Sequence, residues 1–79
     1  MDRNEVVTKL SEIFRKVFDD SSININENYT ANDIDQWDSL SHMILITEIE
    51  HVFSIKFKLK ELNRMRNVGD MVEMIHSKI

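Results

Sequence analysis

Three stretches of this chain repeat their apolar residues at spacings of three and four, a period that fits a helix and not a strand. In the first, Val6, Val7, Leu10, Ile13, Phe14, Val17 and Phe18 fall on one face. The second holds Leu40, Met43, Ile44, Leu45, Ile46, Ile49, Val52 and Phe53, a stripe wider than one core-facing side requires. The third holds Val68, Met71, Val72, Ile75 and Ile79. The chain has no proline and one glycine, Gly69, which leaves little material for tight hairpins. Asp2 with Glu5, and Asn67 with Asp70, have the three-residue spacing of a helix cap. The spacing predicts helices from Asn4 to Phe18, from Ser39 to Phe53, and from Asn67 towards the end of the chain.

Between these stretches the period is lost. Residues 19–38 carry isolated apolar side chains, Ile23, Ile25, Tyr29, Ile34 and Trp37, among Asn, Asp and Thr. A loop of about 20 residues is unusual in a small domain unless it is anchored or functional. The spaced apolar residues predict a loop pinned to the core at several points, with a short strand at Ile23–Asn26 as the competing reading. Residues 55–60 alternate with period two, but no partner strand is evident, so an extended connector is expected. A short helix should follow from Leu59 to Met65. The expected architecture is an all-α four-helix bundle, three main helices and one short one with a long first loop, forming a single domain over residues 1–79.

At 79 residues, a deep enclosed active site is hard to build, because a chain this short buries only roughly 60–65% of its unfolded surface. Cysteine is absent, which removes disulfides and thiolate metal sites, and a cytoplasmic setting is expected. From the charged start no secretory leader is expected. The apolar run Met43 to Ile46 is far below the ~18 residues needed to span a bilayer. Net charge is −4, divided as −5 over residues 1–38 and +1 over the remainder. Such a field does not draw nucleic acid. The expectation is a monomer with neither nucleic-acid binding nor membrane insertion.

Asp38-Ser39-Leu40 stands at the front of the second apolar stretch. Asp or Ser before such a run is an N-cap signal, and a helix start favours an attached anion through its free N–H groups and dipole. Ser39 could therefore be a cap, a nucleophile or an attachment point for a phosphate-linked group. A hydrolytic triad of Asp38, Ser39 and His42 has the wrong geometry, since Asp must orient His while His reaches Ser. No Gly-x-Ser-x-Gly elbow is present. Asp33-x-Asp35 begins like a calcium loop, but Trp37, Asp38 and Ile44 occupy its fifth, sixth and twelfth positions. His42, His51 and His76 are scattered, so no metal site is expected. Lys56, Lys58, Lys60, Arg64 and Arg66 read first as a solvated face with snorkelling stems. Trp37 reads first as an anchor closing the loop over the core.

Asp38-Ser39-Leu40, the residues 49–55 that end the second helix, and Val68-Gly69-Asp70-Met71-Val72 together resemble an acyl carrier protein. The resemblance covers nearly the whole chain. It implies a bundle with a long first loop, and a 4′-phosphopantetheine arm joined covalently to Ser39, with Asp38 and Leu40 flanking the attachment. It implies no catalysis by the chain itself, which would hold acyl intermediates as thioesters and present them to partner enzymes. The implied partners are a phosphopantetheinyl transferase and acyl-loading and acyl-transfer enzymes of a specialised lipid, polyketide or surface-sugar pathway. Leu40, Met43 and Ile44 would supply the apolar part of the partner face, with Thr47, Glu48 and Glu50 beside them; Glu48, Glu50 and Asp38 would meet basic partner residues. The pattern departs from the family at Gln36, where glycine is frequent, and at Ile44 and His51, where acids are common. An aminoacyl or peptidyl carrier, and a cofactor-free helical adaptor binding through Leu40, Met43 and Ile44, are the alternatives.

Overall fold

The computed structural model describes residues 2–30, 37–65 and 67–79. Among them the structure is all helical, with α1 at Arg3–Val17, α2 at Ser39–Phe53, α3 at Leu59–Leu62 and α4 at Val68–Lys78. Helix α1 packs against both α2 and α4. Val6, Leu10 and Phe14 of α1, Leu45 and Ile49 of α2, and Val68, Met71, Val72 and Ile75 of α4 are fully buried. Each such side chain of Val, Leu, Ile, Phe or Met contributes about 1.5–3 kcal/mol relative to exposure. The three apolar stripes therefore meet in one core.

The helix ends follow from local chemistry. Asp2 caps α1 by accepting from the Glu5 N–H at 2.9 Å, so α1 starts at Arg3, one residue earlier than expected. Phe18 serves as its C-cap and still reaches the core. Helix α2 ends at Ser54, which takes the left-handed conformation at φ 55° and donates its N–H to Glu50 O. The short helix is only one turn, closing at Leu62 and not at Met65.

Two apolar expectations are corrected. Val52, part of the apolar stripe of the second helix, is exposed, and Phe53 takes the buried position at the end of α2. Ile79 is also exposed, lying past the last turn of α4 as its C-cap.

The first loop is pinned as its composition implies, with Ile23, Ile25 and Tyr29 packed against the core. Residues 23–26 form no strand. Arg15 holds this segment by donating Nε–H to Ile23 O at 2.8 Å and Nη2–H to Asn24 Oδ1 at 3.0 Å. The loop also crosses the start of α4, where Val68 N donates to Tyr29 O at 2.9 Å and Gly69 N to Glu27 O at 2.8 Å. A Cβ on residue 69 would meet Glu27 O at 3.1 Å and Glu27 Cβ at 3.3 Å. The chain's single glycine stands where the loop backbone comes close to the start of α4. Arg3 ties the same corner by pairing with Glu27 of the loop and Glu73 of α4. Ile34, Asp33, Asp35, Gln36 and Arg66, which entered the sequence readings, lie outside the described residues.

Residues 55–58 are an extended connector, as the absence of a partner strand implied. Lys56, Lys58, Lys60 and Arg64 are exposed. Among the described residues no helix is long and apolar enough to cross a membrane.

Candidate functional site

The start of α2 is closed by a capping box. Asp38 Oδ1 accepts from Ser41 N at 2.9 Å, and Ser41 Oγ accepts from Asp38 N at 2.8 Å. His42 N donates to Asp38 O at 2.8 Å, which begins the helical ladder. The Asp38 carboxyl is held below the ordinary carboxylate range, first by the Ser41 backbone N–H and then by the Ser41 hydroxyl. These bonds remove the cap reading of Ser39: the cap is Asp38, and Ser39 is the first helical residue, exposed, with its hydroxyl outside the capping box.

Leu40, Met43 and Ile44 follow on the outer side of α2, at 73%, 52% and 51% exposure. Such large apolar groups one to five residues beyond an exposed serine form a patch that the chain's own core leaves uncovered. Thr47 is exposed, with its hydroxyl donating to Met43 O at 2.9 Å. Glu48 and Glu50 are half-buried and engaged inside the chain. Lys16 Nζ reaches Glu48 Oε1 at 2.8 Å, and that hydrogen bond is the main reason the Glu48 carboxyl sits below its ordinary value. Glu50 Oε2 accepts from Phe57 N at 2.8 Å and so fastens the connector to the end of α2.

Trp37 immediately precedes the cap. Its indole is 8% exposed and lies edge-on to Phe14 at 5.2 Å, with Phe18 at 6.4 Å. This is the anchor expected of it. Sequence reasoning missed its second contact. The indole N–H donates to His42 Nδ1 at 3.0 Å, and the two rings stack at 6.0 Å with planes 19° apart. An indole nitrogen only donates, so Nδ1 is the unprotonated nitrogen and Nε2 carries the ring hydrogen. Burial lowers the His42 pKa below its ordinary value, which favours this neutral form. One signal for the pair was present in the sequence: residues 37 and 42 stand at the positions just before an N-cap and in the following turn, where hydrophobic staples form.

The arrangement joins an exposed hydroxyl at a rigid helix start to an uncovered apolar patch, on a helical bundle with one long loop. That is the layout of a carrier, and the comparisons with solved structures agree. Over 92% of its length the chain is 49% identical to the holo acyl carrier protein of Geobacter metallireducens solved by NMR, of which it covers 84%, at a TM-score of 0.89. The chain belongs to the acyl carrier protein family. The crystal structure of an acyl carrier protein from Thermotoga maritima shares the fold at a TM-score of 0.83 with 22% identity, over 99% of this chain and 91% of that one. No protein-family model matches the chain, and no curated protein matches it.

The Geobacter protein is a holo form, so the group implied is 4′-phosphopantetheine. The residues here fit it on grounds of access and charge. Ser39 offers an exposed hydroxyl that the capping box does not use, and a phosphodiester there would lie at the positive end of α2.

Proposed function

We propose that this protein carries acyl groups on a 4′-phosphopantetheine arm attached at Ser39. The observation that carries the proposal is the exposed hydroxyl at the first residue of α2, left outside a cap built by Asp38 and Ser41. The arm supplies the thiol that this cysteine-free chain lacks, on which acyl groups are held as thioesters. In the transfer, Ser39 Oγ gives up its proton and bonds to the phosphorus that bears the pantetheine arm, the P–O–P bond of coenzyme A breaks, and adenosine 3′,5′-bisphosphate leaves. The first turn of α2 then offers its dipole to the resulting negative charge. Asp38 fixes the backbone of that turn without occupying the hydroxyl.

Leu40, Met43 and Ile44 serve as the apolar docking patch for the transferase and for acyl-loading and acyl-transfer enzymes, presenting one helix face to a partner groove. Thr47, Glu48 and Glu50 border it, alongside Asp38. With two of these acids engaged by Lys16 and by the Phe57 backbone, docking relies on apolar contact more than on charge. The pathway we assign is a specialised cytoplasmic one that builds a lipid, a polyketide or an acylated surface sugar.

The test is incubation of the purified protein with coenzyme A and a broad-specificity phosphopantetheinyl transferase, with a known carrier alongside. Intact mass followed by fragmentation should place one added phosphopantetheine on Ser39. An unmodified chain beside a fully modified control overturns the proposal and leaves the adaptor reading.

A further inference from the structure

The turn that presents Ser39 is closed twice. The capping box joins Asp38 to Ser41, and outside it the Trp37–His42 contact joins the residue before the cap to the fourth residue of α2. Residues in those two places are commonly apolar and pack as a hydrophobic staple, which sets the angle at which the chain enters the helix. Here the staple is polar as well as stacked. Its 3.0 Å bond runs from a donor that can only donate to one particular ring nitrogen. A packed contact tolerates sliding, whereas this bond fixes the direction of approach.

The inner end of the staple is fixed to another helix. Trp37 sits on Phe14 and Phe18, so the start of α2 is registered against α1 and not only against itself. Ser39 and Leu40 are both exposed and have no core packing of their own to locate them. Their placement depends on the two closures around them.

We propose that the Trp37–His42 hydrogen bond holds the Ser39 hydroxyl in register for modification, making His42 a positioning residue for that transfer. The inference rests on the assignment of Ser39 as the attachment point. What the site needs from His42 is an acceptor at the place of Nδ1. Burial, which keeps the imidazole neutral, maintains that acceptor at neutral pH.

Two substitutions separate the acceptor from the packing. His42→Asn keeps an oxygen near the Nδ1 position, and His42→Leu keeps an apolar staple with no acceptor. The measurement is kcat and KM for phosphopantetheinyl transfer to the carrier, using coenzyme A and a purified transferase, with thermal unfolding of each variant as a control. His42→Leu should lower kcat about tenfold with little change in KM, a moderate case of the loss that misplacing a reacting atom produces. His42→Asn should stay within about twofold of the wild type, because the acceptor survives. Trp37→Phe, which retains the ring but not the donor, should match His42→Leu, and the double variant should fall no further.

Equal kcat in His42→Leu and the wild type overturns the inference. So does an equal fall in His42→Leu and His42→Asn, since the ring and not the acceptor would then matter. If the wild type itself takes up no phosphopantetheine at Ser39, the attachment assignment fails. If the wild type is modified normally and His42→Leu and His42→Asn behave alike, only the positioning role fails.

Discussion

Two helices of this protein begin the same way and are then treated differently. Asn67 caps α4 by accepting from Asp70 N at 2.8 Å, and Asp38 caps α2 by accepting from Ser41 N at 2.9 Å. Over α4 the first loop lies directly on the helix start. Tyr29 O and Glu27 O take the N–H groups of Val68 and Gly69, and Val68 is fully buried. Over α2 the equivalent residues, Ser39 and Leu40, are exposed. One helix start is part of the scaffold, with backbone donors spent on the loop. The other keeps an accessible hydroxyl and an apolar neighbour. Capping makes a helix start rigid; what lies over it decides whether it is structure or site.

The sharpest way to break this contrast is at the exposed end. Ser39→Ala should abolish phosphopantetheine uptake completely, read by intact mass, while thermal unfolding stays close to the wild type, because the hydroxyl is outside the cap. A large fall in stability would show that Ser39 has a structural duty like that of Gly69.

At the covered end the pattern should reverse. Gly69→Val places a branched side chain against the Glu27 backbone, where a Cβ alone already meets Glu27 O at 3.1 Å. Overpacking of this kind costs about 2 kcal/mol, measurable as a lowered urea midpoint, with modification of Ser39 unchanged. Asn67→Ala removes the α4 cap and should cost about 1 kcal/mol in the same measurement, again without effect on modification. A loss of modification in either variant would mean that the two helix starts are coupled.

The smallest effects come from protons. The folded pKa of Asp38 lies below its ordinary 3.8. A lowered carboxyl adds stability above its unfolded value and loses it as pH falls through the folded one. Asp38→Asn should therefore flatten the acid limb of the stability profile below that value, in urea melts. His42 follows the same sign. Its pKa is lowered from 6.5 by burial, so its contribution declines as pH falls from 6.5 towards the folded value, and His42→Asn should remove that slope.

Much of the fold could be read in the residues themselves. The stripes Val6–Leu10–Phe14, Leu45–Ile49–Phe53 and Val68–Val72–Ile75 specify three helices because a period near 3.6 has no other use in a chain without proline. The span from Ser39 to Phe53 agrees at both ends, since Asp38 supplies a cap and Phe53 the last inward residue. Periodicity failed where a stripe ran past its support. Val52 and Ile79 continue the pattern yet are exposed, Val52 beside the buried Phe53 and Ile79 past the last turn of α4.

The site was half legible. The sequence placed Ser39 at the mouth of a helix, but whether it or Asp38 was the cap depended on a side-chain bond. The pairing of Trp37 with His42 depended on rotamers, as did the engagement of Glu48 with Lys16. The loop carbonyls over α4 are a tertiary feature, for which the lone glycine was the one local hint.

Trp37 is the only tryptophan in the chain, and its indole is buried, hydrogen-bonded and stacked two residues from Ser39. Its fluorescence is therefore an intrinsic gauge of this one turn. An imidazole lying against the ring and a bond to its nitrogen both act on the excited state, so anything that pries the turn open should change the emission. The proposed loading of Ser39 should therefore be readable in real time on the unlabelled protein.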